Sequence, residues 1–229
     1  NRLPPALRRR NLLCGSTDMD IKQWIKAEAK RLGFPFAGIT SLDPPPHLET
    51  FEAWIASGMH AGMGYLAAPL SQQKRADPRS IFPAAKSVLS LAMPYAASGR
   101  VAVDPTAGRV ASYAWGTDYH DVIPARLALL ADRIEVRLGC QVARRAYTDT
   151  GPILERDLAQ RAGLGWQGKN TCLITPQSGS YFFLAELFLD LNLEPDVSFR
   201  ADHCGTCRRC IEACPTGCIR EDRTLDSSR

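Results

Sequence analysis

The sequence predicts an α/β sandwich on a mixed sheet, followed by a second, smaller module. Three observations carry this. Apolar runs of strand length alternate with stretches whose apolar residues recur every three or four positions. With 229 residues and 45% hydrophobic content, the chain can bury a core without disulfides. After Asp202 the composition turns to cysteine and arginine. The expected organisation is an N-terminal extension over 1–18, disordered or non-native, an α/β domain over 19–201, and the start of a second module over 202–229.

The elements follow in order. Ile21, Trp24, Ile25, Ala29 and Leu32 make one face of a helix that Asp18 or Asp20 caps and Gly33 stops. "FAGIT" reads as a strand, and prolines 44–46 precede a helix from about His47 to Ser57. "SVLSLAMPY" is a buried-type strand, Ala96 to Gly108 a loop, and "RVASYAW" a further strand. Ile123, Leu127, Leu130, Ile134 and Leu138 set a helix over 121–139, with Pro124 tolerated in its first turn. "QVARRAYTD" is a strand. "DTGPILERDLAQRAG" is a turn and helix, with Pro152 near its first position and Gly163 as its stop. "TCLIT" and "YFFLAELFLDL" complete the strands.

The net charge of +4 is local to the N-terminus. Residues 1–17 hold four arginines and no acid, which leaves 24 basic and 24 acidic residues elsewhere. Met19 is an alternative start. Whole-chain charge therefore gives no argument for nucleic acid. No stretch approaches the ~18 uninterrupted apolar residues of a membrane span. The first residues lack the apolar core and cleavage site of a secretory signal. A cytoplasmic, reducing compartment is expected, where clustered cysteines hold metal more often than they pair.

Cys204, Cys207, Cys210 and Cys214-Pro215, in "HCGTCRRCIEACPTG", match the bacterial ferredoxin run. Short loops at this spacing wrap three thiolates around one cubane, and the fourth cysteine turns to another cluster. Zinc is the rival reading, although structural zinc sites usually pair two CxxC units across a long gap. The ligand set is incomplete, because only Cys218 lies downstream. A C-terminally truncated chain is therefore expected. Cys14, Cys140 and Cys172 read as ordinary thiols, with Cys172 packed in the core of "TCLIT".

Asp149 lies where a strand gives way to a helix, a place where open α/β sheets carry ligands. It could equally cap that helix. The glycines of "GLGWQGKNTCLI" allow close backbone approach, yet match neither the dinucleotide fingerprint nor the phosphate loop. "SGS" at 178–180 is a turn offering hydroxyls. His120 sits among the aromatics of "YAWGTDYHD", where a lone histidine is more often a satisfied structural group than a ligand.

"HAGMGYL", "KRADPR", "YAWGTDYH", "DTGPILERDLAQRAGLGWQGKNT", "GSYFFLAEL" and the cysteine run, in that order, resemble the epoxyqueuosine reductase family. The resemblance covers about Met19 to Arg229. It implies a cobalamin-binding domain of reductive-dehalogenase-like type and a partial ferredoxin-like module for two [4Fe–4S] clusters. The implied reaction reduces the epoxide of epoxyqueuosine, at the wobble position of tRNA, to queuosine.

The resemblance makes Asp149 the proton donor, and an acid working near neutral pH wants a raised pKa. It makes Lys169, Asn170 and Ser180 cobalamin contacts, with Tyr119, His120 and Arg75 in the same pocket or on an RNA-facing rim. For Arg75 a solvated surface position is the plainer alternative. Cys204, Cys207 and Cys210 would hold the first cluster and Cys214 the second, each completed by cysteines further downstream. Arg208 and Arg209 either meet tRNA phosphates or offset cluster charge.

The expected partners are tRNAs with a GUN anticodon (Asp, Asn, His, Tyr) and an external electron donor. The protein is expected to be a monomer off the membrane, and this fragment inactive. Two rivals stand beside that reading: a cobalamin-free ferredoxin-like electron carrier, and a zinc-dependent tRNA-associated protein.

Overall fold

The structure is a computed structural model that describes residues 18–95, 106, 108 and 110–229, and no side chain before residue 21. Cys14, residues 1–17 of the expected extension, the side chains of the helix-capping aspartates and most of the 96–108 loop lie outside what is described. In chain order the elements are α1 (Asp18–Arg31), β1 (Phe36–Thr40), α2 (Leu48–Ala56), α3 (Gly64–Ala67), α4 (Pro69–Ala76) and β2 (Ser87–Pro94). Then come α5 (Tyr119–Leu138), β3 (Arg144–Tyr147), α6 (Glu155–Arg161), β4 (Trp166–Gln167), β5 (Leu173–Ile174), β6 (Phe182–Leu189) and α7 (Arg209–Glu212).

Four strands form one sheet in the order β1-β2-β6-β3, and β4 pairs with β5 in a separate small ladder. The α/β class is as the sequence implies, but each pairing in the four-stranded sheet is antiparallel rather than mixed. β2 and β3 run parallel to each other, as a strand–helix–strand unit should. The late strand β6 inserts between them, antiparallel to both. Helix–strand alternation does not reveal such an insertion.

β2 and β6 are the central strands, paired over eight residues from Ser87 opposite Leu189 to Pro94 opposite Phe182. Side chains alternate between the two faces of a strand. Leu89, Leu91, Ala185, Leu187 and Leu189 point to one face, where Ile25 and Ala29 of α1 and Ile123, Leu127, Leu130 and Ile134 of α5 close the core. Val88, Ala92, Phe182 and Phe188 point to the other, against Leu158, Ala159 and Ala162 at α6. Burial on both faces explains why these strands read as apolar runs.

Several boundaries differ from expectation. "RVASYAW" is no strand: residues 112–114 form a single 3₁₀ turn and Arg109 lies outside the described residues. Tyr113 and Trp115 are exposed, so the turn has no apolar face to bury in a sheet. α5 begins two residues early, because Asp118 Oδ1 accepts the His120 N–H (2.9 Å), and this moves Pro124 out of the first turn. α6 begins at Glu155, and Pro152 belongs to the turn before it.

At the other end of α6, the C-terminal backbone rests against β1. A β-carbon on Gly38 would sit 2.0 Å from the Ala162 carbonyl oxygen. Replacing Gly38 with Ala should therefore cost about 1–3 kcal/mol, as overpacking does. The denaturant midpoint should fall with an unchanged slope; an unmoved midpoint would mean that this contact gives way freely.

Candidate active site

One cavity of about 640 Å³ opens on the α6 side of the sheet. Its walls come from α2, α4, the turn between β3 and α6, the β5 region, the start of β6 and the tail at 223–227.

Asp149 stands in the turn between β3 and α6, with a left-handed backbone (φ 59) that aspartate tolerates better than most residues. The turn is tied down on both sides. Thr148 Oγ1 donates to the Leu184 carbonyl of β6 (2.9 Å), and the Asp149 N–H donates to Glu155 Oε1 (2.6 Å). Asp149 is therefore held by α6, but does not cap it with its side chain. Its carboxylate Oδ2 accepts from the Tyr119 hydroxyl (2.8 Å), and His120 Nε2 stands 3.8 Å away. Tyr119 in turn stacks on Phe183 of β6, ring centroids 4.1 Å apart. Burial, reinforced by the Asp149 hydrogen bond, holds the Tyr119 phenol well above its ordinary value, so it serves as a donor.

Beneath Asp149 lies a feature the sequence reading missed. Burial pushes Glu155 up to about 7, against the lowering effect of the Asp149 N–H. Residue Glu155 is partly accessible through the cavity, but its carboxyl lies deep among protein atoms, which sets the direction. Glu186 is fully buried beside it on β6 and is raised by burial and by Glu155. A carboxylate within the apolar run "YFFLAELFL" was the available signal.

On the opposite wall Asp157, almost fully buried on α6, gathers three donors. It accepts from the His47 N–H (3.1 Å), from His47 Nδ1 (2.6 Å) and from the Gln167 amide. The Asp157 hydrogen bond raises the His47 pKa, outweighing burial. His47, Asp157 and Gln167 carried no mark in the sequence beyond being polar.

The other expected site residues divide. Arg75 and Ser180 line the cavity with Tyr119 and Asp149. Arg75 is buried rather than solvated; its guanidinium bonds the Ser71 hydroxyl and carbonyl and lies 5.8 Å from the Phe51 ring centroid. Lys169, Asn170 and His120 are not among the lining residues. Lys169 reaches Glu221 of the tail (3.8 Å), and Asn170 Oδ1 accepts the Cys172 N–H (3.2 Å). Cys172 is not core. It opens onto the cavity, though crowding by neighbouring atoms raises its thiol pKa.

The cysteine tail is fastened to this cavity. Trp54 Nε1 donates to the Leu225 carbonyl (2.6 Å), and the Ser227 N–H donates to the Met59 carbonyl (2.9 Å). Arg223 spans from the Gln167 carbonyl to Asp202 (2.6 Å). The donor chemistry of Cys204, Cys207, Cys210 and Cys214 suits iron–sulfur ligation. Among the described residues, however, no three His, Cys, Asp or Glu side chains gather as a metal-binding group. Cys214 Sγ lies 3.4 Å from Cys218 Sγ, and its pKa is lowered to about 6, chiefly by the Thr216 hydroxyl. Arg208 is paired with Glu221 and Glu212, and both it and Arg209, at the start of α7, are exposed. Among the described residues, no helix is long and apolar enough to cross a membrane.

Fold and site define an α/β protein whose sheet-side cavity joins a hydrogen-bonded acid to a cysteine-rich tail. A family model described as epoxyqueuosine reductase QueG, DUF1730, matches residues 75–150. The chain is 40% identical over 211 residues to an epoxyqueuosine reductase of Cyclobacterium marinum, covering 90% of this chain and 66% of that protein. It is 38% identical to that of Pseudomonas aeruginosa, over 91% of this chain and 58% of the relative. The solved epoxyqueuosine reductase of Streptococcus thermophilus superposes with a TM-score of 0.82 at 33% identity, over 92% of this chain and 56% of that one. One solved with an epoxyqueuosine-modified tRNA-Tyr stem loop gives 0.79 at 30% identity, over 93% and 56%. The chain belongs to the epoxyqueuosine reductase family, and it spans two-thirds or less of the length of these relatives.

The His47–Asp157 pair has a pH signature. Because the folded pKa of His47 is raised, the stability it contributes is full below its ordinary value of 6.5 and is lost as pH rises through the folded value. Between about pH 6 and pH 9 the native chain should lose more stability in denaturant than His47→Gln does. Equal losses would mean that the pair does not titrate as drawn.

Proposed function

We propose that this chain carries the catalytic lobe and the beginning of the electron-transfer module of an epoxyqueuosine reductase. Its substrate would be epoxyqueuosine at the wobble position of tRNA, and its product queuosine. The observation that carries the reading is Asp149, set by the Tyr119 hydroxyl and the Glu155 carboxylate at the mouth of a cavity that the cysteine tail borders. The domain division at 201–202 follows, with the tail docked rather than free.

The reaction takes up two electrons and two protons. Both carbon–oxygen bonds of the epoxide break, a carbon–carbon double bond forms, and the oxygen leaves as water. An oxygen released without a proton would leave as alkoxide and then hydroxide, so a placed acid lowers the barrier. Asp149 fills that role. Tyr119 fixes which oxygen of its carboxyl faces the substrate, and His120 stands behind as a second polar neighbour.

The cavity suits a flat macrocycle held partly buried. Tyr95, Tyr113 and Phe182 offer broad apolar surface, and Ser180, Thr171 and Arg75 offer polar contacts to its edge. Cobalamin bound here would supply the reducing cobalt centre. Lys169 and Asn170 would act beside the cavity, Lys169 through its link to Glu221. The thiols of Cys204, Cys207, Cys210 and Cys214 would hold iron–sulfur clusters completed by further ligands, fed by an external donor. Arg209 is an exposed cation of that run for tRNA phosphate, beside the exposed but ion-paired Arg208, with tRNAs of GUN anticodon as the expected substrates. A monomer in the cytoplasm is the proposed state.

In a chain carried to the length of the relatives, Asp149→Asn should lower turnover by at least about 10²-fold, the scale of a general acid. Cofactor absorbance should stay intact. Unchanged turnover would remove Asp149 from the chemistry. The same protein, loaded under exclusion of oxygen, should hold about eight iron and eight sulfide per chain, as two [4Fe–4S] clusters require. Stoichiometric zinc in their place would favour the zinc-dependent tRNA-associated alternative.

A further inference from the structure

Glu186 stands opposite Ser90 in the central strand pair, fully buried, with the Ser90 hydroxyl donating weakly to its Oε1 (3.4 Å). Its other oxygen, Oε2, meets no hydrogen-bond partner among the described residues. A buried carboxylate oxygen with no donor is costly to retain as an ion. The Glu155 carboxyl lies against it. Two neighbouring carboxyl groups, one of them fully buried, do not readily both ionise.

The charged and titratable groups facing this pair come from several elements. Asp149 faces Glu155 from the turn before α6, Arg156 from α6 itself, Arg75 from α4 and Tyr119 from α5. Neither arginine bonds the pair: Arg156 donates to the Thr171 carbonyl and Arg75 to Ser71. Among the described residues, no donor replaces a proton between the two acids.

We propose that Glu155 and Glu186 share one proton, carried on Glu186 Oε2 toward Glu155, and that the pair thereby seats Asp149. With the proton on that side, the partnerless oxygen becomes a donor. Glu155 Oε1 then keeps its negative character for the Asp149 N–H, the bond that holds the acid loop in place. The role rests on Asp149 as the proton donor; Glu155 and Glu186 act through it as positioning residues. Burial raises both carboxyls, which agrees with one of them staying neutral.

The sign follows. Groups whose folded pKa is raised contribute stability fully below their ordinary value of 4.5, and it is lost as pH climbs through the folded values. Losing the shared proton would place two adjacent anions beneath the Asp149 carboxyl group and loosen its seat. Turnover should therefore fall on the alkaline side.

Infrared spectroscopy of the chain at neutral pH reads the proton directly. A buried protonated-carboxyl C=O band should be present in the native protein and in Asp149→Asn, and should be lost in Glu186→Gln, whose amide keeps the donor without the acid. No such band at neutral pH, or one unaltered by Glu186→Gln, overturns the shared proton. If Glu186→Gln does not fold, Ser90→Ala serves: losing the hydroxyl bond should raise the band's frequency, and an unmoved band overturns the assignment.

In the extended, loaded enzyme, Glu186→Gln should move the alkaline loss of turnover to higher pH. An unmoved limb overturns the positioning role. Normal turnover in Asp149→Asn, with the band behaving as stated, would instead sink the acid role of Asp149 and leave the shared proton standing.

Discussion

The eight-residue pairing of β2 with β6 is the constraint on which the rest of the molecule depends. One face of this ribbon meets α1 and α5 and forms the larger core. The other receives α6, and through it the turn that bears Asp149. The same register sets Ser90 opposite Glu186, so a buried polar floor beneath the residues that line the cavity is fixed by the strand ladder that builds the core. A one-residue slip would turn Glu186 into the packed face against α1 and α5 and bring Leu187 under the cavity.

From that floor the site rises in two walls. Glu155 and Asp157 lie two residues apart at the start of α6, and each meets a different partner. Glu155 holds the Asp149 backbone; Asp157 holds His47 and Gln167. Gln167 then passes the structure on, since its carbonyl takes the Arg223 guanidinium and so fastens the tail. One short helix thus connects the acid loop, the far wall and the cysteine module. This is why a tail exposed over much of its surface still lines the cavity at Thr224, Leu225 and Ser227.

Much of this was legible in the sequence, for identifiable reasons. The runs "SVLSLAM" and "FFLAELFL" announced central strands because burial on both faces leaves no polar alternation. The spacing of Ile123, Leu127, Leu130 and Ile134 announced α5 because one helical face must cover the sheet. Strand direction was not legible, since it depends on the late insertion of β6 between β2 and β3. Nor was the depth of Arg75 or the openness of Cys172; both follow from how α4 and the β5 region meet around the cavity, which is set by tertiary packing. Glu186 was visible only as an anomaly, an acid where the pattern called for an apolar residue. Such breaks in local consistency tend to mark function.

The central claim is that the cavity between the Asp149 turn and the cysteine tail is a corrinoid site. Cobalt content tests it most directly, measured on a chain carried to the length of the relatives and purified and reconstituted without oxygen. About one cobalt per chain is expected, together with corrinoid absorbance, the cofactor rather than the protein carrying the redox chemistry. A protein that holds its iron yet retains neither cobalt nor corrinoid absorbance would contradict it.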